Sequence, residues 1–230
     1  MLPWLDPDDD TTPFPALETA LNEPNGLLAA GGSLCPERLL EAYRRGIFPW
    51  FEDDQPILWW SPNPRMVLKP SEIHISKSLR KTINKEMFNC TIDTCFSEVI
   101  RACSKLRDHQ DGTWITASMI QAYESLFENG HAHSIEVWSD EVLVGGLYGI
   151  SIGQVFFGES MFSCKNNASK VAFVFLSEKL SDWGYQLIDG QVQSNHLETL
   201  GAYSISRESF AEQITLFCSA EASKNAWLNT

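Results

Sequence analysis

GESMFSCKNNASKVAFVFLSEKLSDWGYQLIDGQ, residues 158–191, reads as a strand end, a polar loop, a long helix and a second strand. Ala168, Val171, Ala172, Phe175, Leu176, Leu180 and Trp183 recur at helical spacing and give one buried face. Asn166, Asn167 and Ser169 are candidate N-caps, and Gly184 marks the helix end. The flanking QVFFGE and QLIDGQV read as buried strands. Glu159 and Asp189 therefore stand where two apolar strands run out, beside a helix start. Carboxylates at strand ends facing one crevice are a common way to build an α/β-type site. The same positions also suit turn caps, Asp189 before Gly190 above all.

Outward from this stretch, composition narrows the possibilities. The chain has 230 residues, room for one large or two small domains, and its 43% hydrophobic share allows a sizeable core. A net charge of −13 argues against a generic nucleic-acid or membrane binder. Cysteines at 35, 90, 95, 103, 164 and 218 form no CxxC pair and no zinc spacing with histidine. Free thiols in a reducing cytoplasm are the simplest account. The opening MLPWLDPDDD is acidic, so no signal peptide is expected, and no apolar run reaches membrane-spanning length.

Before the central stretch, the acidic, proline-containing residues 1–25 read as a surface cover. GLLAAGGSL leads to a helix from Pro36 through ERLLEAYRR that stops at Gly46. Gly31-Gly32 is a weak phosphate-loop signal, because neither GxxxxGK[ST] nor GxGxxG is present. GIFPWFEDDQPILWWSPNPR concentrates Trp50, Trp59, Trp60 and prolines, and composition favours core packing over a base-stacking platform. A lobe boundary is expected within 61–70. In EIHISKSLRKTINKE, Lys77, Lys81 and Lys85 fall at i, i+4 and i+8 with Arg80 alongside, one basic face if helical and a candidate phosphate contact. FNCTI reads as a strand and FSEVIRACSK as a helix. Trp114 lies in a loop, and Thr116 can cap a helix ending at Gly130. AHSIEVWS, EVLVGGLYGI and QVFFGES read as strands joined by turns at 139–140 and 151–153. After the central stretch come short elements and a last amphipathic helix, RESFAEQITLF. The whole reads as α+β with a central mixed sheet.

The five histidines show no HExxH, and His131 and His133 suit solvent and turn roles better than a ligand pair. A serine triad lacks its GxSxG elbow. What remains is the Glu159–Asp189 pair amid Gln191, Asn167, Phe157, Met161 and Phe162. That set suits binding an apolar group and handling one proton, as in group transfer to an amine.

The blocks EPNGLLAAGGSL, AYRRGIFPWF, PILWWSPNPR, HISKSLRK, GTWIT, GHAHSIEVW, LVGGLYG, GESMFS, NASK and LIDGQV, within residues 22–210, resemble the leucyl/phenylalanyl-tRNA–protein transferase family in content and order. Two positions depart from that family's pattern: Gly190 stands where cysteine is usual, and Cys164 where arginine is usual. The second removes a cation beside the polar loop.

The resemblance implies a small N-terminal domain, residues 1–63, and an acetyltransferase-like (GNAT-like) catalytic domain, residues 64–230. It implies transfer of Leu or Phe, with Met a further candidate, from aminoacyl-tRNA to proteins beginning with Arg or Lys, marking them for degradation. No metal or nucleotide cofactor is implied, and a cytoplasmic monomer is expected. In this reading Gln191 holds the acceptor α-amino group and Asp189 polarises Gln191. Glu159 takes the acceptor's basic side chain. Phe157, Met161, Phe175 and Leu176 receive the Leu or Phe side chain. Trp50 and Trp114 stack on the terminal adenosine, which reverses the core assignment for Trp50. Lys77, Arg80, Lys81 and Lys85 contact tRNA phosphates. The alternative on the same fold is an acyl-CoA-dependent N-acetyltransferase, but SCKNNASK has no glycine to cradle a pyrophosphate. A non-catalytic adaptor for basic N-termini is the reading from another class.

Overall fold

A computed structural model describes residues 1–85, 87–105 and 115–228. In chain order the elements are β1 (Trp4–Leu5), β2 (Leu27–Gly31), α1 (Pro36–Arg44), β3 (Phe48–Pro49), β4 (Leu58–Trp60), β5 (Arg65–Leu68) and α2 (Lys77–Ile83). They continue with β6 (Asn89–Ile92), α3 (Phe96–Lys105), α4 (Ala117–Glu128), β7 (Ala132–Ser139), β8 (Val142–Ile152) and β9 (Val155–Ser163). The last are α5 (Ala168–Asp182), β10 (Leu187–Gln191), α6 (Asn195–Glu198), β11 (Tyr203–Ile205) and α7 (Arg207–Cys218).

The expected α+β class takes the form of a small N-terminal sheet, β1-β2-β4-β3, and a larger mixed sheet, β11-β5-β10-β9-β8-β7-β6. Within the larger sheet β9 and β10 run parallel and the other pairs antiparallel. A parallel pair needs a crossover, and α5 supplies it. One apolar core joins the small sheet to one face of the large one through Trp59, Tyr43, Phe96, Tyr123, Phe157 and Phe210. A second fills the opposite face beneath α5, around Phe156, Ala172, Leu176 and Ile188.

Burial of α5 exceeds the single stripe read from sequence. Phe173, Val174 and Ser177 are buried as well, while Phe175 is only partly buried, with Lys179 Nζ 5.6 Å from its ring centre. The reason is coverage from two sides, by the strands below and by α2 and the 70–72 turn beside it. Its expected side-chain N-cap does not form. Asn167 occupies the cap in a left-handed conformation (φ 69°) with no capping bond, and Ser163 Oγ receives the Ser169 N–H instead. The C-terminus closes as expected on Gly184 (φ 82°), with Tyr185 N–H bonding Leu180 C=O. Thr116 caps α4 through the Met119 N–H.

Asp140 and Glu141, both at positive φ, make the β7–β8 turn. The β8–β9 turn falls at 153–154, keeping Gly153 (φ 58°) of the expected 151–153 while Ser151 and Ile152 stay in β8, and Gly153 lies under the end of α7. A Cβ there would come within 2.5 Å of the Cys218 carbonyl oxygen. His133 departs from its expected solvent role: it is buried, 2.8 Å from the Asp93 carboxylate and stacked on Trp227 at 4.0 Å. The burial follows from the C-terminal segment folding back over the sheet.

Candidate active site

The β9–β10 ladder ends at the pair Phe157–Asp189. Beyond it both strands break register. On β9, Tyr148 pairs Ser160 but Gly149 pairs Gly158, so Glu159 is the extra residue of a bulge. On β10, the register against β5 shifts between Asp189 and Gln191, and Gln191 adopts a left-handed conformation (φ 61°). The two strands part at this point, and a cavity of about 470 Å³ opens there. Met161, Phe156, Phe173, Leu176 and Ile188 form its apolar wall. Glu159, Ser160, Asp189 and Gln191 form its polar end, and Trp50 stands at the rim with Phe48 and Pro49.

Asp189 is fully buried and gripped by Arg65, Nε to Oδ1 at 2.8 Å and Nη2 to Oδ2 at 2.6 Å. Arg65 also donates to the Gly46 carbonyl and lies against the rings of Phe48 and Phe210. The second bond to Asp189 Oδ1 comes from the Gln191 backbone N–H, at 2.8 Å. This corrects the expected side-chain pairing of Asp189 with Gln191. Simple alternation across Gly190 would have placed the two side chains together, but the bulge and the left-handed residue turn the Gln191 amide elsewhere.

That amide donates to Glu159 Oε1 at 2.7 Å. Tyr43 donates to the same oxygen at 2.7 Å, and Tyr123 to Oε2 at 2.8 Å. Glu159 is thus a buried carboxylate held by three donors, with about one of its four acceptor positions left over. Desolvation pushes its carboxyl up to about 7; the three hydrogen bonds oppose the shift, and the nearby Asp189 charge adds to it. Burial also pushes both tyrosines well above their usual range, so they remain O–H donors.

Of the residues expected at the site, the structure brings Asp189, Gln191, Glu159, Met161, Leu176 and Trp50 onto one cavity. Trp50 is 45% exposed at the rim, with Trp60 tilted against it at 5.5 Å, so it is not packed in the core. Phe157 and Phe175 are absent from the wall. Strand alternation turns Phe157 to the other face, against the Tyr43 ring at 5.3 Å, and helical period turns Phe175 away from the sheet. Phe156 and Phe173 stand there instead. Trp114 lies outside the described residues. Lys77, Arg80 and Lys81 are exposed on α2; Lys85 is exposed too, but α2 stops at Ile83 and the expected helical row stops with it. Asn167 Nδ2 reaches Thr82 Oγ1 at 3.4 Å, which sets this basic helix beside the start of α5. Among the described residues no cluster of three or more His, Cys, Asp or Glu side chains could hold a metal ion, and no helix is long and apolar enough to cross a membrane.

Sequence reading missed Arg65, Tyr43 and Tyr123. Each lies in a segment whose own pattern accounts for it: the two tyrosines on apolar helix faces, the arginine after a proline-rich turn. The Arg65 segment was among the quoted blocks, but nothing local assigned it a partner.

The family model described as "Leucyl/phenylalanyl-tRNA protein transferase" matches residues 67–215, and the one for that family's N-terminal domain matches residues 32–63. A leucyl/phenylalanyl-tRNA–protein transferase from Cellvibrio japonicus is 55% identical over 94% of this chain and 92% of its own. The proteins of the same name from Stutzerimonas stutzeri and Azotobacter vinelandii are each 57% identical, over 94% and 89% of this chain and 95% and 91% of their own. Among solved structures, FemX overlaps 78% of this chain and 71% of its own at 9% identity and a TM-score of 0.48. A GCN5-related N-acetyltransferase from Kribbella flavida overlaps 74% and 61% at 12% identity and a TM-score of 0.42. Neither of these two overlaps bears on activity.

Proposed function

The chain belongs to the leucyl/phenylalanyl-tRNA–protein transferase family, and from that premise we infer an enzyme that moves a leucyl or phenylalanyl group from tRNA to a protein acceptor. The finer reading is that the acceptor is an N-terminal Arg or Lys, which the new peptide bond then marks for proteolysis in the cytoplasm. The observation that carries the site assignment is the junction of an apolar cavity with the Gln191–Glu159 pair. One end of that cavity suits an uncharged side chain and the other suits an amine. The acyl-CoA alternative is set aside, because the relatives sharing more than half of their residues with this chain are named for tRNA as donor.

An aminoacyl ester is already activated, so no nucleotide step is needed. The acceptor α-amino group, with an ordinary pKa of about 7.7–8.0, must shed a proton to attack. The Gln191 Nε2 is committed to Glu159, which leaves Gln191 Oε1 to accept from that amine. Asp189 acts on Gln191 through its backbone, fixing the left-handed turn that aims the amide. Glu159, with one acceptor position remaining, receives the cationic side chain through a charge-assisted bond. Leu176 and Met161, with Phe156, Phe173 and Ile188, receive the Leu or Phe side chain. One methylene discriminates by only about 1–3 kcal/mol in such a pocket, so tolerance among apolar side chains is built in. Trp50 at the rim stacks on the terminal adenosine, and the α2 cations meet the phosphates behind it.

The test is incubation with labelled Leu-tRNA and a peptide beginning with Arg. Label on the peptide supports this function, and label confined to tRNA and free leucine contradicts it.

A further inference from the structure

A second, smaller hollow of about 370 Å³ opens at the N-terminus of α5, next to the cavity. The two share Ser163, Ser169 and His196. Lys165, Asn167 and Lys170 also line the second, and no carboxylate does, in a chain with 30 acidic and 17 basic residues. α5 is 15 residues long, so its first N–H groups present the positive end of a full helix dipole. The Ala168 N–H bonds the Lys165 carbonyl, and the Ser169 N–H bonds Ser163 Oγ. The Val171 N–H bonds the Asn167 carbonyl, which leaves the Lys170 N–H without an acceptor among the described residues.

Independently of the helix end, Ser169 offers a hydroxyl. Its side chain is buried, the residue 8% exposed, and its Oγ makes no hydrogen bond to the described residues. Ser61 Oγ and Ser160 Oγ are also unpartnered but are sealed from solvent, whereas Ser169 Oγ stays open. Its open side is the wall shared by the two hollows. A buried donor with no protein partner and access to a hollow is satisfied by what enters that hollow. Position says what enters. Asn167 Nδ2 reaches Thr82 Oγ1 of α2 at 3.4 Å, so the second hollow lies between the cavity and the exposed Lys77, Arg80 and Lys81. A strand with its aminoacyl end in the cavity and its phosphates on α2 crosses this hollow on the way.

We propose that the N-terminus of α5 is a phosphodiester site for the single-stranded end of aminoacyl-tRNA, with the Ser169 Oγ–H and the Lys170 N–H donating to one phosphate and Lys165 and Lys170 supplying positive charge. The assignment rests on the transferase reading above. Lys165 Nζ bonds Ser139 Oγ at 2.8 Å and Lys170 Nζ bonds Thr199 Oγ1 at 3.5 Å, both neutral partners that leave the lysine charges uncompensated. One phosphodiester needs fewer backbone donors than a pyrophosphate, so the lack of glycine in SCKNNASK is no obstacle.

The probe is a deacylated RNA hairpin ending in CCA, its binding followed by fluorescence anisotropy in wild type, Ser169→Ala and Lys170→Gln, with thermal melts of each. Matching hairpins carry a neutral methylphosphonate in place of one phosphate at a time along the single-stranded end. Ser169→Ala should weaken binding roughly tenfold with an unchanged log–log salt slope, because it removes a donor and no charge. Lys170→Gln should weaken binding and flatten the slope by about 0.7, one single-strand counterion's worth. One methylphosphonate position should weaken wild-type binding and erase the difference between wild type and Ser169→Ala, as coupled partners do. Melting temperatures should hold. Equal binding by all three proteins, an unchanged slope in Lys170→Gln, no methylphosphonate position that erases the Ser169→Ala effect, or a melt lowered in step with affinity would overturn the site. So would inorganic phosphate competing far better than chloride at equal ionic strength, which would give the hollow to a free anion. If the wild type moves label to peptide while any of these holds, this site falls alone; a wild type that neither binds the hairpin nor moves label loses the parent function as well.

Discussion

Asp189 and Arg65 form a buried, two-pronged ion pair, 2.8 and 2.6 Å across its two bonds, with neither side chain exposed. They are 124 positions apart in the chain, and their contact joins β5 to β10 at the floor of the polar end. Removing one partner from such a pair leaves the other charged and buried, which costs about 3–5 kcal/mol. Asp189→Asn and Arg65→Met should each lower unfolding free energy by that order in denaturant titrations. The double variant should lose less than the sum. Additive losses, or a wild-type stability in Asp189→Asn, would show that the pair is not formed.

Glu159 gives a pH signature. Burial raises its carboxyl to about 7, above the ordinary carboxylate value, so the folded chain holds this proton more tightly than the unfolded one. The stability that comes with protonation is complete at low pH and is lost as pH rises through about 7. Tyr43, Tyr123 and Gln191 face the carboxylate as neutral donors, and Asp189 is the charged neighbour. Glu159→Gln carries no such titration. Its stability relative to wild type should therefore climb by roughly 3 kcal/mol between pH 4 and pH 8. Melts of both proteins across that range check it, and a difference that stays flat contradicts the shift.

The same carboxyl must ionise to meet a cationic acceptor. Binding of an Arg-starting peptide should tighten as pH rises through about 7. Titration calorimetry in buffers of different ionisation enthalpy should report proton release on binding at pH 6, and its absence would remove Glu159 from acceptor recognition.

At the rim, Trp50 is exposed enough that its loss should spare the fold. Trp50→Ala should weaken aminoacyl-tRNA binding by about 1–3 kcal/mol, the worth of one stacked base. An equal fall in folding stability would return Trp50 to core packing.

Lys77 and Lys81 are exposed on α2 against an otherwise acidic chain. Their joint replacement by Ala should weaken tRNA binding and flatten the log–log salt dependence by about two counterions' worth. An unchanged slope would place the phosphates elsewhere.

How far the sequence could be read follows from which signals are local. The order of β9, α5 and β10 and the end of α5 are local, set by apolar period, Gly184 and two runs of strand formers, and they formed as read, whereas β9 runs on to Ser163, three residues past the QVFFGES read as strand. Glu159, Gln191, Met161 and Leu176 were legible because they belong to those elements. Phe156 and Phe173 were displaced by one or two positions, because the side of a strand or helix that meets a cavity depends on a bulge and on a second packing layer. Tyr43, which bonds Glu159 across 116 positions, carries no local mark of that role. The partner of Asp189 was likewise hidden, and with it the difference between a free proton acceptor and a carboxylate already paired with Arg65.

Gln191 is the residue through which these relationships act on the reaction. Its left-handed backbone (φ 61°) lets glycine replace it without strain, so Gln191→Gly removes the amide while leaving the turn in place. The measurement is the single-turnover rate of leucyl transfer from Leu-tRNA to an Arg-starting peptide, with both substrates saturating, in wild type and Gln191→Gly. The wild type should label the peptide, and the variant should do so roughly 10²–10⁴-fold more slowly with its melting temperature held. Transfer at the wild-type rate in Gln191→Gly would contradict the account.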